Sequence, residues 1–291
     1  MSAKFAMTLR AQWLGRQLRE LREAAGLTLK EAGAFIQRDS GTISRFEAGI
    51  YPARTPDVSA LLDLYGVVAP LRRRGLMRLA GEVWQSGWWD AYSEDLSRIV
   101  VDYAWVESRA SGISSFDALV IPGILQTRGY MEVIMSCAGN GCSSQVDRGV
   151  EFRLERQKVL AEHEPPSIVA VLDESILHRV IGDAHIHAEQ LDHLLALSEY
   201  SHIDIRVLPF ASGGHASHEG PFRIFELPDP YPEIAYVETA AGGLYVEGDQ
   251  VRPLMLRFDR LMRECHGSME SVGMIDAAIR RLRSSKTEAR T

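Results

Sequence analysis

The segment between Thr28 and Gly49 carries the residues whose chemistry is most specific. Ile43 and Phe46 are three positions apart and would face a hydrophobic core, which leaves the polar side chains of the same helix facing outward. An outward arginine, Arg45, can donate two hydrogen bonds to the O6 and N7 atoms of a guanine, and such a contact discriminates against other bases by ~1 to 3 kcal/mol. The segment therefore predicts a helix that reads bases in the major groove of DNA.

Two sets of side chains are predicted to contact DNA. Base contacts are expected from Arg45, Ser44, Ser40 and Thr42. Phosphate contacts are expected from Thr28, Lys30 and Arg54, because hydroxyl groups, cations and helix starts suit phosphate oxygens. One short helix makes few base contacts alone, so we expect a homodimer on a palindromic operator in double-stranded DNA.

Short helices must hold this segment, and their start and stop signals follow one another along the chain. Apolar residues recur every three or four positions in the first helix, and the later ones begin at capping residues. The predicted helices are Leu14–Ala25, a second from the capping box Thr28/Glu31 to Ile36, Ser40–Ala48 after the N-cap Asp39, and a fourth that starts at the cap Thr55 and Pro56. Together they predict a small all-α N-terminal domain.

The stretch LRELREAAGLTLKEAGAFIQRDSGTISRFEAG resembles the helix-turn-helix of the XRE family, the Cro and phage-repressor type. The resemblance covers about residues 14–66 and implies a sequence-specific DNA-binding transcriptional regulator. It also implies a structural ion pair between Arg22 of the first helix and Glu47 at the end of the recognition helix. Two positions depart from the family pattern: the small residue of the second helix is Gly33, and Gln37 replaces the turn glycine.

The chain from about Trp84 to Arg281 resembles the C-terminal domain of actinobacterial XRE-type regulators, which include WhiJ-like proteins. The motifs that carry the resemblance are WWDAY, VIPGILQTRGY, FRLERQKVL, VLDESILHRVIG, VLPF and IAYVET. A small partner protein is commonly encoded beside such regulators, so the resemblance implies an antitoxin-like protein whose C-terminal domain binds that partner. The alternative is a small-molecule sensor with its ligand pocket in this domain. A domain that serves oligomerisation alone also stays open.

Apolar, β-branched runs in the second half of the chain predict strands, with a helical pattern between the first two. The predicted strands are Ile168–Leu172, Ile203–Leu208, Phe222–Leu227 and Ile234–Glu238, and the main helices are Val101–Ser111, Phe152–Glu162, Leu191–Leu197, Leu254–Cys265 and Val272–Arg281. We therefore expect a multidomain chain with an all-α helix-turn-helix domain over 1–70, a basic and aromatic connector over 71–95, a helix-rich mixed α/β domain over 96–285 and a frayed tail over 286–291. The aromatic face of the connector, which includes Trp84, is expected to pack on the second domain.

Composition is that of an ordinary soluble globular protein, with 46% hydrophobic and 24% charged residues in a chain of 291. Residues 1–80 carry a net charge of +6 and residues 81–291 a net charge of −13, so only the N-terminal part suits a polyanion. The odd number of three cysteines and the lack of a long apolar segment predict a cytoplasmic protein without a membrane segment.

Metal and enzyme chemistry have weak support in the sequence. No Cys-x-x-Cys pair accompanies the histidines and cysteines that could ligate a metal, namely His178, His185, His187, His193, His215, His218, Cys137 and Cys142. Asp173 and Glu174 follow a predicted strand, but no nucleophile elbow, Walker loop or glycine-rich dinucleotide turn occurs. We therefore expect no enzymatic activity, no catalytic residue, no metal and no cofactor.

Overall fold

The structure is a computed structural model that describes residues 7–137 and 143–288. It divides the chain into two compact units. The first unit contains the described residues up to Ala91 together with Pro228–Tyr231, and the second contains Tyr92–Leu227 and the described residues from Pro232 onward. Most of the segment 71–95, expected to be a connector, therefore belongs to the first unit.

The described part of the first unit is all-helical. Its helices are α1 (Leu9–Ala24), α2 (Leu29–Phe35), α3 (Ser40–Glu47), α4 (Thr55–Leu64) and α5 (Pro70–Glu82). Each helix except α2 places large aliphatic side chains in one core, where Leu14, Leu18, Ile43, Leu61, Leu62 and Leu76 are almost completely buried. Burial of each such side chain favours folding by roughly 1.5 to 3 kcal/mol.

The caps predicted for α2 and α3 are present. Thr28 accepts a hydrogen bond from the backbone of Glu31, whose carboxylate accepts one from the Thr28 N–H at 2.8 Å. Asp39 accepts one from the backbone N–H of Thr42 at 2.9 Å. The cap expected at Thr55 is wrong: the N-cap position is taken by Arg54 without a side-chain hydrogen bond. Proline fits the first positions of a helix, where its missing N–H costs nothing, so the helix can begin one residue earlier.

Close backbone approach shapes the helix-turn-helix segment. Gln37 takes φ = 57°, the left-handed conformation that glycine adopts most easily, in the turn between α2 and α3. A Cβ atom at Gly33 would lie 2.7 Å from the carbonyl oxygen of Arg38, so the turn packs on a glycine of α2. A Cβ atom at Gly15 would lie 2.6 Å from the carbonyl oxygen of Glu47. The glycine at position 15 therefore allows α1 to contact the end of α3.

The second unit is a mixed α/β domain, as predicted. Its elements are α6 (Arg98–Glu107), β1 (Gly112–Asp117), α7 (Arg128–Cys137), α8 (Ser143–Gln157), β2 (Ser167–Asp173), α9 (Ser175–His178), α10 (Ala184–Leu197), β3 (Ile203–Leu208), β4 (Phe222–Glu226), β5 (Ile234–Thr239), β6 (Gly242–Glu247), α11 (Arg252–Glu264) and α12 (Ser268–Glu288). The strand order is β3-β2-β1-β4-β5-β6. The strands β1, β2 and β3 are parallel, and β4, β5 and β6 continue the sheet in antiparallel pairs.

The sequence pattern misses β1 and β6. Two serines interrupt the apolar pattern of β1, and β6 is a largely exposed edge strand that starts with two glycines. The helix expected over Val101–Ser111 ends at Glu107 instead, because the chain must extend into β1. The helix α8 starts at Ser143 and Ser144, a residue type that is typical of loops and turns. The tail is helical as far as Glu288, and the expected fraying of its last three residues lies outside the described residues.

Each face of the sheet is covered by helices. On one face, Phe116, Val171, Phe222 and Ala235 form a buried cluster with Phe258 of α11 and its neighbours. On the opposite face, Tyr103 of α6 contacts the rings of two residues in β4 and β5. No helix in the described part of the chain is long and apolar enough to cross a membrane.

The contact at Gly15 generates the first prediction. In Gly15→Ala the added methyl group meets a backbone carbonyl that cannot move freely, so the free energy of unfolding should fall by roughly 1 to 3 kcal/mol. The matched control is Gly81→Ala in α5, where no atom lies within 4 Å of the added Cβ and helix propensity should raise the free energy by up to about 1 kcal/mol. Urea unfolding of the full chain measures both, and equal effects would contradict the close approach.

Candidate nucleic-acid interface

The helix α3 has a buried face and an exposed face. Ile43 and Phe46 are 1% and 3% exposed and anchor the helix in the core of the first unit. The side chains of Ser40, Ser44 and Arg45 are exposed on the other side. Among the described residues no hydrogen bond or ion pair engages the two serine hydroxyls, so they are available to a ligand. Three of the four predicted base readers therefore share one open surface.

The fourth predicted base reader, Thr42, joins two charged side chains on that surface. Its hydroxyl donates a hydrogen bond to Asp39 Oδ2 at 2.7 Å and accepts one from Arg45 Nη2 at 2.9 Å. The hydrogen bonds from the Thr42 hydroxyl and N–H, with a smaller contribution from the charge of Arg45, lower the pKa of Asp39. The three side chains form a chain of hydrogen bonds from the helix N-cap to the guanidinium group.

This chain of hydrogen bonds places the Thr42 hydroxyl in contact with the guanidinium group of Arg45. The hydroxyl donates one hydrogen bond and accepts one, which leaves a second acceptor lone pair for a base donor. The base contact expected of Thr42 therefore stays a prediction. The three residues are spaced by three positions, and residues at that spacing are neighbours on a helix surface. The spacing can be read from the sequence, but the rotamer of the Thr42 side chain, which decides its hydrogen-bond partners, cannot.

The three predicted phosphate contacts have different surroundings. The Thr28 hydroxyl donates to Glu31 Oε2 at 2.7 Å, and hydrogen bonds from Thr28 lower the pKa of that glutamate, which keeps a negative charge at this helix end. Lys30 is exposed, and no ion pair engages it in the described part of the chain. Arg54 is also exposed, with its guanidinium carbon 4.6 Å from the ring centroid of Trp84. Lys30 is therefore the best placed of the three to approach a phosphate.

Trp84, expected to pack on the second domain, contacts residues of the first unit, among them Arg54. The indole N–H of Trp84 donates to the carbonyl oxygen of Ala53 at 3.1 Å, and its ring meets that of Tyr51 edge-on. Trp84 thus packs within the first unit and supports the side chain of Arg54 by a cation–π contact. Nothing in the local sequence pattern links positions 54 and 84.

Arg22 and Glu47 form a bidentate ion pair, with Nε–Oε1 and Nη2–Oε2 distances of 2.6 and 2.9 Å. Their side chains are only 10% and 7% exposed. Arg22 also donates to the carbonyl oxygen of Leu27, and the hydrogen bond with Glu47 raises its pKa. Burial, with a contribution from the charge of Glu47, raises the pKa of the neighbouring Tyr65 to about 12. The pair ties the end of α1 to the last turn of α3.

The two carboxylates considered for enzyme chemistry, Asp173 and Glu174, have structural partners. Asp173 accepts a hydrogen bond from the N–H of Ser175, and Glu174 accepts one from the N–H of Phe210, so both carboxylates hold local backbone. Within the described ranges, no three His, Cys, Asp or Glu side chains are grouped to hold a metal ion. Cys142 lies outside the described residues.

Comparison with known proteins gives two matches to family models. The model described as "Domain of unknown function (DUF5753)" matches residues 100–277. The model described as "Helix-turn-helix domain" matches residues 13–75, the region that contains α1 to α4 and the start of α5. No curated protein and no solved structure matches the chain.

The ion pair generates the second prediction. Arg22→Gln leaves the buried carboxylate of Glu47 without its partner, so the free energy of unfolding should fall by ~3 to 5 kcal/mol. The control Arg19→Gln, one helical turn earlier, removes an exposed i,i+4 pair with Glu23 and should cost at most about 0.5 kcal/mol. Urea unfolding of the full chain compares the two. Equal losses would show that the Arg22–Glu47 pair is not the contact that holds α1 to α3.

Proposed function

We propose that this chain, which belongs to the DUF5753 family, reads a specific operator through α3. Its helix-turn-helix domain makes the chain a DNA-binding transcription regulator. The observation that carries the proposal is the exposed guanidinium group of Arg45, which Thr42 holds at the surface of α3. We place this activity in the cytoplasm, together with the DNA.

Arg45 is the main base reader in this proposal. A guanidinium group offers two parallel N–H donors that match O6 and N7 of guanine, and Ser40 and Ser44 flank it with free hydroxyls. Thr42 orients Arg45. Lys30, with Arg54 and Thr28 beside the groove, would neutralise phosphates and fix the position of the helix on the duplex.

The operator is proposed to be palindromic and the bound protein a homodimer. The helix α3 is only eight residues long and buries one face, so one copy contacts few base pairs. Two copies related by a two-fold axis double the number of contacts, and their half-sites would then be about one helical turn apart.

The C-terminal domain is proposed to bind a small protein encoded nearby, so that the regulator is antitoxin-like and of the actinobacterial WhiJ type. The support is the resemblance of its motifs and the net charge of −13 over residues 81–291. An acidic surface disfavours DNA and favours a basic partner, because opposite potentials steer association.

A second candidate, control by a small molecule, is favoured by one observation. The second unit contains a cavity of about 570 Å³ bounded by α6, α7, α8 and the strands β1, β4 and β5. This volume falls within the range of cofactor and ligand pockets. In this candidate, occupancy of the cavity changes the affinity of the protein for its operator.

The third prediction separates base reading from phosphate binding. Arg45→Ala should lose preference for the operator over random DNA by roughly 10- to 100-fold, while it keeps its fold and much of its non-specific affinity. Lys30→Ala should weaken binding to all sequences and reduce the slope of log K against log salt by about one ion. Selection from a random duplex library and salt titrations measure both. An unchanged sequence preference in Arg45→Ala would refute the assignment.

The fourth prediction concerns the protein partner. Purified full-length protein should form a stable complex with the small protein encoded next to its gene, and this complex should change the affinity for a promoter fragment of the same locus. Pull-down, native mass determination and DNA titration in graded salt test the two steps. A complex without effect on DNA would reject the regulatory part, and DNA binding without any complex would favour the small-molecule candidate.

A further inference from the structure

The cavity of the second unit is lined by both charged and apolar side chains. One wall is formed by the strands β1, β4 and β5, and the other by the helices α6, α7 and α8. Three arginines line it: Arg153 and Arg156 from α8, and Arg223 from β4. Guanidinium groups in a cavity are costly unless they are paired, so the partners of these three decide what the cavity can bind.

Two of the arginines are fully paired within the domain. Arg156 donates to both carboxylate oxygens of Glu107, at 2.7 and 2.9 Å. Arg223 donates to Asp117 at 2.7 Å, its diagonal neighbour across the β1–β4 ladder. Burial opposes the charged form of both arginines, but the carboxylates outweigh it and raise the pKa of each.

Arg153 has no such partner. Its Nη1 donates to Oε1 of Gln126 at 3.0 Å, and no carboxylate forms an ion pair with it in the described part of the chain. Gln126 is buried and fixed by its own hydrogen bond to the carbonyl oxygen of Ile121. Burial, and then the charge of Arg156, lower the pKa of Arg153 to about 10, which still leaves it charged at neutral pH. The charge of Glu238, which also lines the cavity, acts in the opposite direction and favours the charged form of Arg153. The cavity therefore contains a positive charge that is held in place and that no carboxylate in the described residues pairs with directly.

A glycine keeps the space beside the guanidinium groups open. A Cβ atom at Gly123 would lie 3.6 Å from Nη1 of Arg153 and 3.8 Å from the guanidinium nitrogens of Arg156. Any larger residue would occupy the volume in front of both groups. Gly123 belongs to the segment VIPGILQTRGY.

The rest of the lining is largely apolar. It includes Val100, Leu119, Ile121, Ile134, Met135 and Phe152. The carboxylate of Glu238 also lines the cavity, but this residue is exposed to solvent, so water screens its charge more than that of a buried group. An occupant would thus meet a partly buried cation together with apolar side chains.

We propose that this cavity binds a small organic anion, whose carboxylate or phosphate group pairs with Arg153 and whose apolar body contacts Phe152, Ile134 and Met135. The proposal rests on the small-molecule candidate of the proposed function and adds the chemical class of the ligand. Arginine suits this part because its planar donors bind carboxylate and phosphate oxygens bidentately.

The test uses the full chain and a matched pair of fluorescent probes, 1-anilinonaphthalene-8-sulfonate and its uncharged analogue N-phenyl-1-naphthylamine. The anionic probe should bind saturably, with one site per chain. Arg153→Gln retains a hydrogen-bonding group near Gln126 but removes the charge. The affinity of this variant for the anionic probe should be about 10- to 100-fold lower than that of the parent. The affinity of the same variant for the uncharged probe should stay within about twofold of that of the parent.

Two further variants control for loss of charge and test the space beside Arg153. Arg280→Gln removes an equally charged but exposed side chain of α12 that does not line the cavity, and it should bind the anionic probe like the parent. Gly123→Ala retains every charge but places a methyl group in the space beside Arg153. This variant should also bind the anionic probe with lower affinity than the parent. Equal binding by Arg153→Gln, Gly123→Ala and Arg280→Gln, or no saturable binding by the parent, would overturn the proposal.

Competition against the bound probe identifies the anionic group and tests the opposite charge. Displacement by 1-naphthoate indicates a carboxylate ligand, and displacement by 1-naphthyl phosphate indicates a phosphate ligand. Stronger displacement by 1-naphthylmethylammonium would instead show that Glu238 and its neighbours bind a cation and would refute the proposal. The affinity for DNA is then measured with and without the best competitor. If probe binding depends on Arg153 but the competitor does not change the affinity for DNA, the anion site is supported and control of DNA binding by a small molecule is rejected.

Discussion

Arg22 and Glu47 connect the end of α1 to the last turn of α3 through two short hydrogen bonds. Both side chains are almost completely shielded from solvent. A buried ion pair contributes little net stability compared with an apolar pair of the same size, but either partner alone is strongly destabilising. Its main effect here is geometric, because it fixes where α3 ends relative to α1. The glycine at position 15 makes the same contact possible by removing the Cβ that would meet the α3 backbone. The exposed surface of α3 depends on both.

On that surface, the hydrogen bonds that cap the helix also orient its arginine. Asp39 caps α3 and accepts from the Thr42 hydroxyl, which in turn accepts from Arg45. Each of these exposed hydrogen bonds is weak in water, so their value lies in reducing the number of conformations that the guanidinium group must give up on binding. A side chain that is oriented before it meets the base loses less conformational entropy on binding, and the contact gains affinity.

The sequence predicts local features well and distant contacts poorly. The caps at Thr28 and Asp39 could be predicted because a cap and its helix lie within four residues. The strand β1 could not, because Ser115 is a polar residue buried by tertiary packing, which the local pattern does not reveal. The contact of Arg54 with Trp84 and the unpaired Arg153 likewise depend on residues far apart in the chain. These are the places where tertiary packing decides what a side chain does.

The central claim is that α3 enters the major groove and that Arg45 reads a guanine there. The most direct measurement is methylation interference with the full chain on an operator duplex recovered by selection. The reagent, dimethyl sulfate, modifies guanine N7 in the major groove and adenine N3 in the minor groove, so it distinguishes the two grooves. The account predicts that methylation of at least one guanine N7 in each half-site abolishes binding. Interference by adenine N3 alone, or by no modified base, would contradict it.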